Sequence, residues 1–220
     1  MQSLNIKNFS IAVVVSFVIA IVLFAVSFYI GKQQFFLLLN TDLGTFADYF
    51  FATFSYGGDA LMWLPLLLVT IFILKRKDVL PLIISGFLIC TVLTQICKYV
   101  IVPDEPRPTK AIADNSLIHT VPNVELHTIS SFPSGHTATV FCFYLLFCLL
   151  LSKRWWLVSG LIFAMLVGYS RIYLAQHFPL DVAAGIIVGI ISIFLSLRIQ
   201  QYLWRRKKPS KISSFYSGNK

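Results

Sequence analysis

The chain has 220 residues, 57% of them hydrophobic and 12% charged, with a mean hydropathy of +0.80. Soluble domains carry about a quarter charged residues, so this composition excludes an ordinary soluble domain. The net charge of +9 would suit a nucleic-acid partner, but the placement of the basic residues along the chain excludes that as well.

Apolar runs of about 20 residues, long enough to cross a bilayer, recur along the chain. They predict a single all-α, polytopic membrane domain of about six transmembrane helices over residues 1–204. The first run, Phe9 to Ile30, is preceded only by Lys7. It exceeds the roughly 7–15-residue apolar core of a cleaved signal peptide, so an uncleaved span is expected. Residues 31–58 interleave Phe35, Phe36, Phe46, Tyr49, Phe50, Phe51, Phe54 and Tyr56 with Asp42 and Asp48. That pattern suits a segment lying in the membrane interface, and Gly57-Gly58 breaks it. A second span is expected from Leu61 to Leu74, stopped by Lys75-Arg76-Lys77-Asp78, and a third from Val79 to Val102 with Lys98 near its far end. The loop 103–133 contains Pro103, Pro106, Pro108, Pro122 and Pro133; loops of this length are uncommon unless functional or disordered. A fourth span begins at Pro133-Ser134 and runs to Leu151, and a fifth covers Trp155 to Tyr173. The turn Gln176-His177-Phe178-Pro179 leads into a sixth, Leu180 to Leu203, and residues 205–220 form a basic tail. Cys90, Cys97, Cys142 and Cys148 all fall in apolar runs and read as small buried residues, not as disulfide partners or metal ligands.

Six spans put both termini on one side, together with 13 of the 18 Lys and Arg. The positive-inside rule makes that side cytoplasmic. The basic excess therefore orients the chain in a bacterial inner (cell) membrane, and no nucleic-acid partner is expected.

The outer side collects Lys98 with Arg107-Pro108, then Pro133-Ser134-Gly135-His136, then Ser170-Arg171 with His177 and Asp181. Ionisable residues at membrane depth are functional candidates by default. Ser134 reads as a helix N-cap, and the free N–H groups of such a terminus favour an anion. Lys98, Arg107 and Arg171 add permanent positive charge suited to phosphate. His177 and Asp181 are spaced i, i+4, so the carboxylate can hold one ring nitrogen and leave the other as a nucleophile. His136 can give a proton to the leaving oxygen. Together these groups read as a phosphoryl-transfer site.

The three motifs resemble those of the type 2 phosphatidic acid phosphatase superfamily, the integral-membrane lipid phosphatases related to vanadium haloperoxidases. The family pattern is a lysine, six residues, then Arg-Pro; then Pro-Ser-Gly-His; then Ser-Arg, five residues, His, three residues, Asp. The second and third motifs match in full, whereas eight residues separate Lys98 from Arg107. The resemblance implies a helical bundle in which His177 forms a phosphohistidine, Asp181 orients it and His136 protonates the leaving group. It further implies that Lys98, Arg107, Ser134, Gly135 and Arg171 hold the phosphate, with no metal and no cofactor. The implied partner is a lipid phosphate reached from the bilayer at a periplasmic or outer face. Undecaprenyl diphosphate, phosphatidylglycerol phosphate, phosphatidate and lipid A phosphate are the candidates. A lipid-to-lipid phosphotransferase is the alternative.

Plainer readings stand beside this one. Asp181 can serve only as a helix cap, and Lys98, Arg107 and Arg171 as interface anchors. A His/His/Asp set offers zinc ligands, although three cations in the same place repel a divalent ion. A ring of basic groups also suits an anion transporter without catalysis. His119 and His127 read as solvated or as part of the substrate rim, and Asp104, Glu105, Lys110 and Glu125 as solvated.

Overall fold

The computed structural model describes residues 4–207, and among them every regular element is helical. Helix α1 (Ile6–Ile30) starts at Asn5, whose side chain accepts the Asn8 N–H at 3.0 Å. Helices α2 (Lys32–Leu39) and α3 (Thr45–Ser55) lead through tight turns at 56–58 and 60–62 into α4 (Trp63–Leu68), which continues as a π-helical turn to Ile73. Helix α5 (Leu80–Ile96) also ends in a π-helical turn, Cys97–Ile101. After the single turn α6 (Pro108–Ala111) come α7 (Gly135–Leu150), α8 (Trp155–Tyr173) and α9 (Pro179–Lys207). Residues 208–220 of the expected basic tail lie outside the described residues; the part from Arg205 to Lys207 continues α9.

Among the described residues, four segments are long and apolar enough to cross a membrane: α1, Lys77–Ile101 around α5, α8, and Pro179–Arg206. Thr45–Gly58 and Ala60–Ile73 qualify together as a pair bent by 58°. The aromatic stretch divides into α2 and α3, and its second half runs into the expected second span with the bend just after Gly57-Gly58. Helix α7 has 16 residues, about 24 Å at 1.5 Å each, which is short of the roughly 30 Å hydrocarbon core. It is apolar, and Thr137–Leu146 form an unbroken buried run. It packs against α1, α5, α8 and α9, so it is the centre of the bundle and not a lipid-facing element.

Two glycines set how close α9 comes to α7. A Cβ at Gly185 would lie 2.6 Å from the Ser134 carbonyl oxygen, and one at Gly189 would lie 3.0 Å from that of Ala138. Small residues four apart allow this approach between apolar helices, where packing is the main attraction. The contact fixes the beginning of α7 beside the beginning of α9, and the Ser134 N–H donates to the Asp181 carbonyl at 3.0 Å.

The long loop between α5 and α7 is packed down by apolar anchors. Ile112 and Ile118 join Phe36, Phe178 and Val182 in one cluster, and Val121 joins Phe51 and Tyr173 in another. Asn40, buried at the end of α2, ties these parts together. Its amide donates to the carbonyls of Ile172, Tyr173 and His119, and its carbonyl oxygen accepts the His119 N–H at 2.8 Å. This packing sets aside the disordered reading of the loop.

Candidate active site

The start of α7 is built as its sequence requires. Ser134 caps the helix, its Oγ accepting the Thr137 N–H at 3.4 Å and the Thr137 hydroxyl at 2.9 Å. The first N–H groups of a helix have no acceptor within it, so those of Gly135 and His136 remain for an anion. The turn at 56–58 presses on this terminus. A Cβ at Gly58 would sit 2.7 Å from the His136 carbonyl oxygen and 2.8 Å from its Cβ, so only glycine closes the wall there.

The third motif owes its spacing to the turn between α8 and α9. The Arg171 carbonyl accepts the N–H of Gln176 at 2.9 Å and of His177 at 3.1 Å. This closure leaves Ala175 in the left-handed region with φ +54° and presents His177 beside the start of α9. Asp181 then caps that helix, its Oδ2 accepting the Phe178 N–H at 2.9 Å, in the manner of the acidic half of a capping box. The same Oδ2 accepts the Ser131 hydroxyl at 2.5 Å and lies 3.6 Å from His177 Nδ1. That last separation exceeds a hydrogen bond, and Nδ1 is buried with no partner. The sequence-expected His177–Asp181 hydrogen bond is thus present as a close pair and not as a formed bond.

The three cations share one feature: each is tethered by neutral oxygens. Lys98 Nζ donates to the Ser130 carbonyl at 3.0 Å. Arg107 Nε donates to the Ile129 carbonyl at 2.9 Å, and its Nη1 to the carbonyl and side-chain oxygens of Gln176 at 3.1 and 2.8 Å. Arg171 Nη1 donates to the Ser55 hydroxyl, while its Nε is buried and unpartnered. Among the described residues, none of the three has a carboxylate within ion-pair distance. Between Lys98 and Arg107 the chain leaves a π-helical turn, where Val102 N–H reaches the Cys97 carbonyl, and passes a left-handed residue at Asp104. Such widened turns recur at functional sites.

His177 is the meeting point. Its burial, followed by the charges of Arg107, Arg171, Lys98 and His136, holds its pKa well below the ordinary histidine range, so the ring is neutral at neutral pH. The structure therefore groups Lys98, Arg107, His136, Arg171 and His177 electrostatically, with Ser134, Gly135 and Asp181 at the adjoining helix starts. Three partners had escaped sequence reading: Ser131 on Asp181, Gln176 on Arg107 and Ser55 on Arg171. Gln176 was visible as a polar residue beside His177, but nothing in the aromatic segment distinguished Ser55.

Two of the remaining loop polar residues, His119 and Glu105, are held in structural pairs. His119 is mostly buried, with Nε2 2.9 Å from Asp48 Oδ1, and its ring lies against Tyr173, whose hydroxyl also donates to Asp48 at 2.6 Å. Burial in this clasp replaces the solvated reading of His119. Glu105, also expected to be solvated, pairs with Lys32 at 2.5 Å. His127 and Glu125 are exposed. The side chains close enough to share an ion, among the described residues, are Asp42, Asp48 and His119, none of which belongs to the three motifs. Cys90, Cys142 and Cys148 are buried thiols.

The chain is similar to several known proteins. The family model for the PAP2 superfamily matches residues 79–205. An undecaprenyl-diphosphatase of Sulfolobus acidocaldarius is 37% identical over 147 residues, which span 66% of this chain and 67% of that protein. A lipid A 4'-phosphatase of Bacteroides thetaiotaomicron is 30% identical over 165 residues, 71% of each chain. The crystal structure of Aquifex aeolicus LpxE superposes with a TM-score of 0.64 and 33% identity, covering 76% of this chain and 94% of that one.

Proposed function

The chain belongs to the PAP2 superfamily, and on that premise we propose that it is a membrane phosphatase that hydrolyses a lipid phosphate or diphosphate through a phosphohistidine on His177. Undecaprenyl diphosphate is the first candidate, because the 37%-identical relative carries that name. A lipid A phosphate is the second, after the lipid A 4'-phosphatase.

The reading is carried by one observation: three buried or half-buried cations surround a neutral histidine, and among the described residues none of them has a carboxylate within ion-pair distance. Burying uncompensated charge is expensive, and a bound phosphate supplies the missing negative charge. Lys98, Arg107, Arg171 and the N–H groups at the start of α7 hold its oxygens. With its Nδ1 proton directed at Asp181, His177 attacks phosphorus through Nε2, and the bond to the lipid oxygen breaks as His136, which takes up a proton from solvent once the phosphate's negative charge offsets the neighbouring cations, gives that oxygen a proton. The phosphoimidazole becomes cationic, and the pair separated by 3.6 Å tightens, since catalytic hydrogen bonds often close only in the reacting complex. Water then loses a proton to His136 and attacks phosphorus, releasing phosphate and restoring both histidines. The site opens toward the periplasmic side, with both termini in the cytoplasm, on the strength of the basic-residue distribution.

The purified protein, assayed with undecaprenyl diphosphate and a lipid A phosphate in the presence of chelator, releases phosphate from at least one of them. His177→Ala reduces that release more than about a thousand-fold. Full activity in His177→Ala removes the nucleophile assignment, loss of wild-type activity in chelator restores the zinc reading, and transfer to a second lipid without free phosphate marks the phosphotransferase.

A further inference from the structure

We propose that Ser131 is a positioning residue for phosphoryl transfer, acting through Asp181, within a three-residue strap that grips the charged groups of the site. The proposal rests on the phosphohistidine reading. Three consecutive residues each hold a different charged group: the Ile129 carbonyl takes Arg107 Nε at 2.9 Å, the Ser130 carbonyl takes Lys98 Nζ at 3.0 Å, and the Ser131 hydroxyl donates to Asp181 Oδ2 at 2.5 Å. The strap is anchored on both sides of Arg107, since Arg107 N–H donates to the Thr128 carbonyl at 2.9 Å and Ser131 N–H to that of Glu105 at 3.0 Å.

The backbone explains how neighbours can do this. In an extended chain, successive carbonyls and side chains face opposite ways. Ser130 has φ +57°, a left-handed conformation that breaks the alternation, so the carbonyls of 129 and 130 both serve cations while the side chain of 131 turns to the carboxylate. Ser131 is wholly buried and Asp181 nearly so. The carboxylate oxygen facing His177 is therefore aimed by two donors, the Ser131 hydroxyl and the Phe178 N–H. A hydrogen bond to a buried charge is among the stronger kinds. Without Ser131 the carboxylate keeps one tether and loses its fixed direction toward Nδ1.

The test is a double-mutant cycle on the full chain with undecaprenyl diphosphate in mixed micelles, reading kcat, KM and vanadate affinity. Ser131→Ala lowers kcat about ten- to a hundred-fold, while KM and vanadate affinity stay within about twofold. In an Asp181→Asn background the same change has no further effect on kcat, because the two residues act as one unit. Ser131→Cys, similar in shape but a weak donor, falls between Ala and wild type. Unchanged kcat in Ser131→Ala overturns the proposal, as does an equal loss in both backgrounds, a loss confined to KM, or an order of variants unrelated to donor strength. His177→Asn is measured alongside: if it stays active the phosphohistidine reading itself fails, whereas a dead His177→Asn with a fully active Ser131→Ala removes only the strap.

Discussion

Two buried arginines at opposite ends of α9 show how the same residue can be handled in opposite ways. Arg76 is 6% exposed and Arg171 8% exposed, so both have left water to nearly the same extent. Arg76 lies near the C-terminal half of α9, where Gln200 binds the Leu82 N–H and the Asp78 carbonyl, and it meets Asp78 through Nε and Nη2 at 2.8 and 3.0 Å. Arg171 lies near the N-terminal end of α9 and has a serine hydroxyl as partner, with no carboxylate in reach among the described residues. A buried charge given a full counter-charge is part of the scaffold. A buried charge with no carboxylate in contact, repeated nearby in Arg107 and beside the half-buried Lys98, is what the proposed anion site would require.

The contrast breaks most sharply under truncation. Arg171→Ala lowers kcat/KM by roughly a thousand-fold, about 4 kcal/mol of transition-state stabilisation, as removal of one buried donor to a developing charge does. Its thermal midpoint stays level or rises, because the variant sheds repulsion from Arg107. A parallel collapse of melting temperature and activity would place Arg171 with Arg76 as scaffold. The next effect is ligand stabilisation. Inorganic phosphate or vanadate at about 100 times its Kd stabilises the folded protein by about 2.7 kcal/mol; the shift vanishes in Arg171→Ala and survives in Arg76→Ala. Equal shifts in the two variants would mean that the anion binds elsewhere.

How much of this contrast was legible in the sequence depends on the distance over which each feature is encoded. The apolar runs, the break at Gly57-Gly58 and the full matches at Pro133-Ser134-Gly135-His136 and Ser170-Arg171 are local patterns, and they placed the helices and the charged groups. The Arg171-to-His177 spacing has a local cause too, the closure of the turn onto the Arg171 carbonyl. Tethers are another matter. That Ser55 meets Arg171 across 116 positions, or that His119 is clasped by Asp48 and Tyr173, follows from how α3 and the outer loop pack, which no short pattern states. The angle at which α3 meets α4 was hidden for the same reason: both halves are apolar, and the packing of α3 on α8 and of the turn at 56–58 on α7 joins positions far apart in the chain.

At the scaffold end, Arg76→Ala costs about 1–3 kcal/mol of stability while activity per folded molecule stays within about twofold; a larger loss of activity than of stability would make Arg76 part of the site.

The smallest effect tests the unbalanced field itself, through His177. Burial and the neighbouring cations hold its pKa well below the usual value, whereas in the unfolded chain it titrates near 6.5. Between these values the unfolded state binds the proton and the folded state does not, so unfolding gains ground as pH falls. The stability contributed by the neutral ring is complete above about pH 6.5 and declines below it, by up to about 1.4 kcal/mol per pH unit. His177→Asn cannot take up this proton, so from pH 8 to 5 the wild type loses stability relative to the variant. Bound phosphate flattens the difference, because its negative charge offsets the three cations and lets the folded state accept the proton. Thermal midpoints of both proteins across this range, with and without phosphate, decide the matter. Parallel curves for wild type and His177→Asn would show that the cations do not govern the ring, and the distinction drawn between Arg76 and Arg171 would lose its chemical consequence.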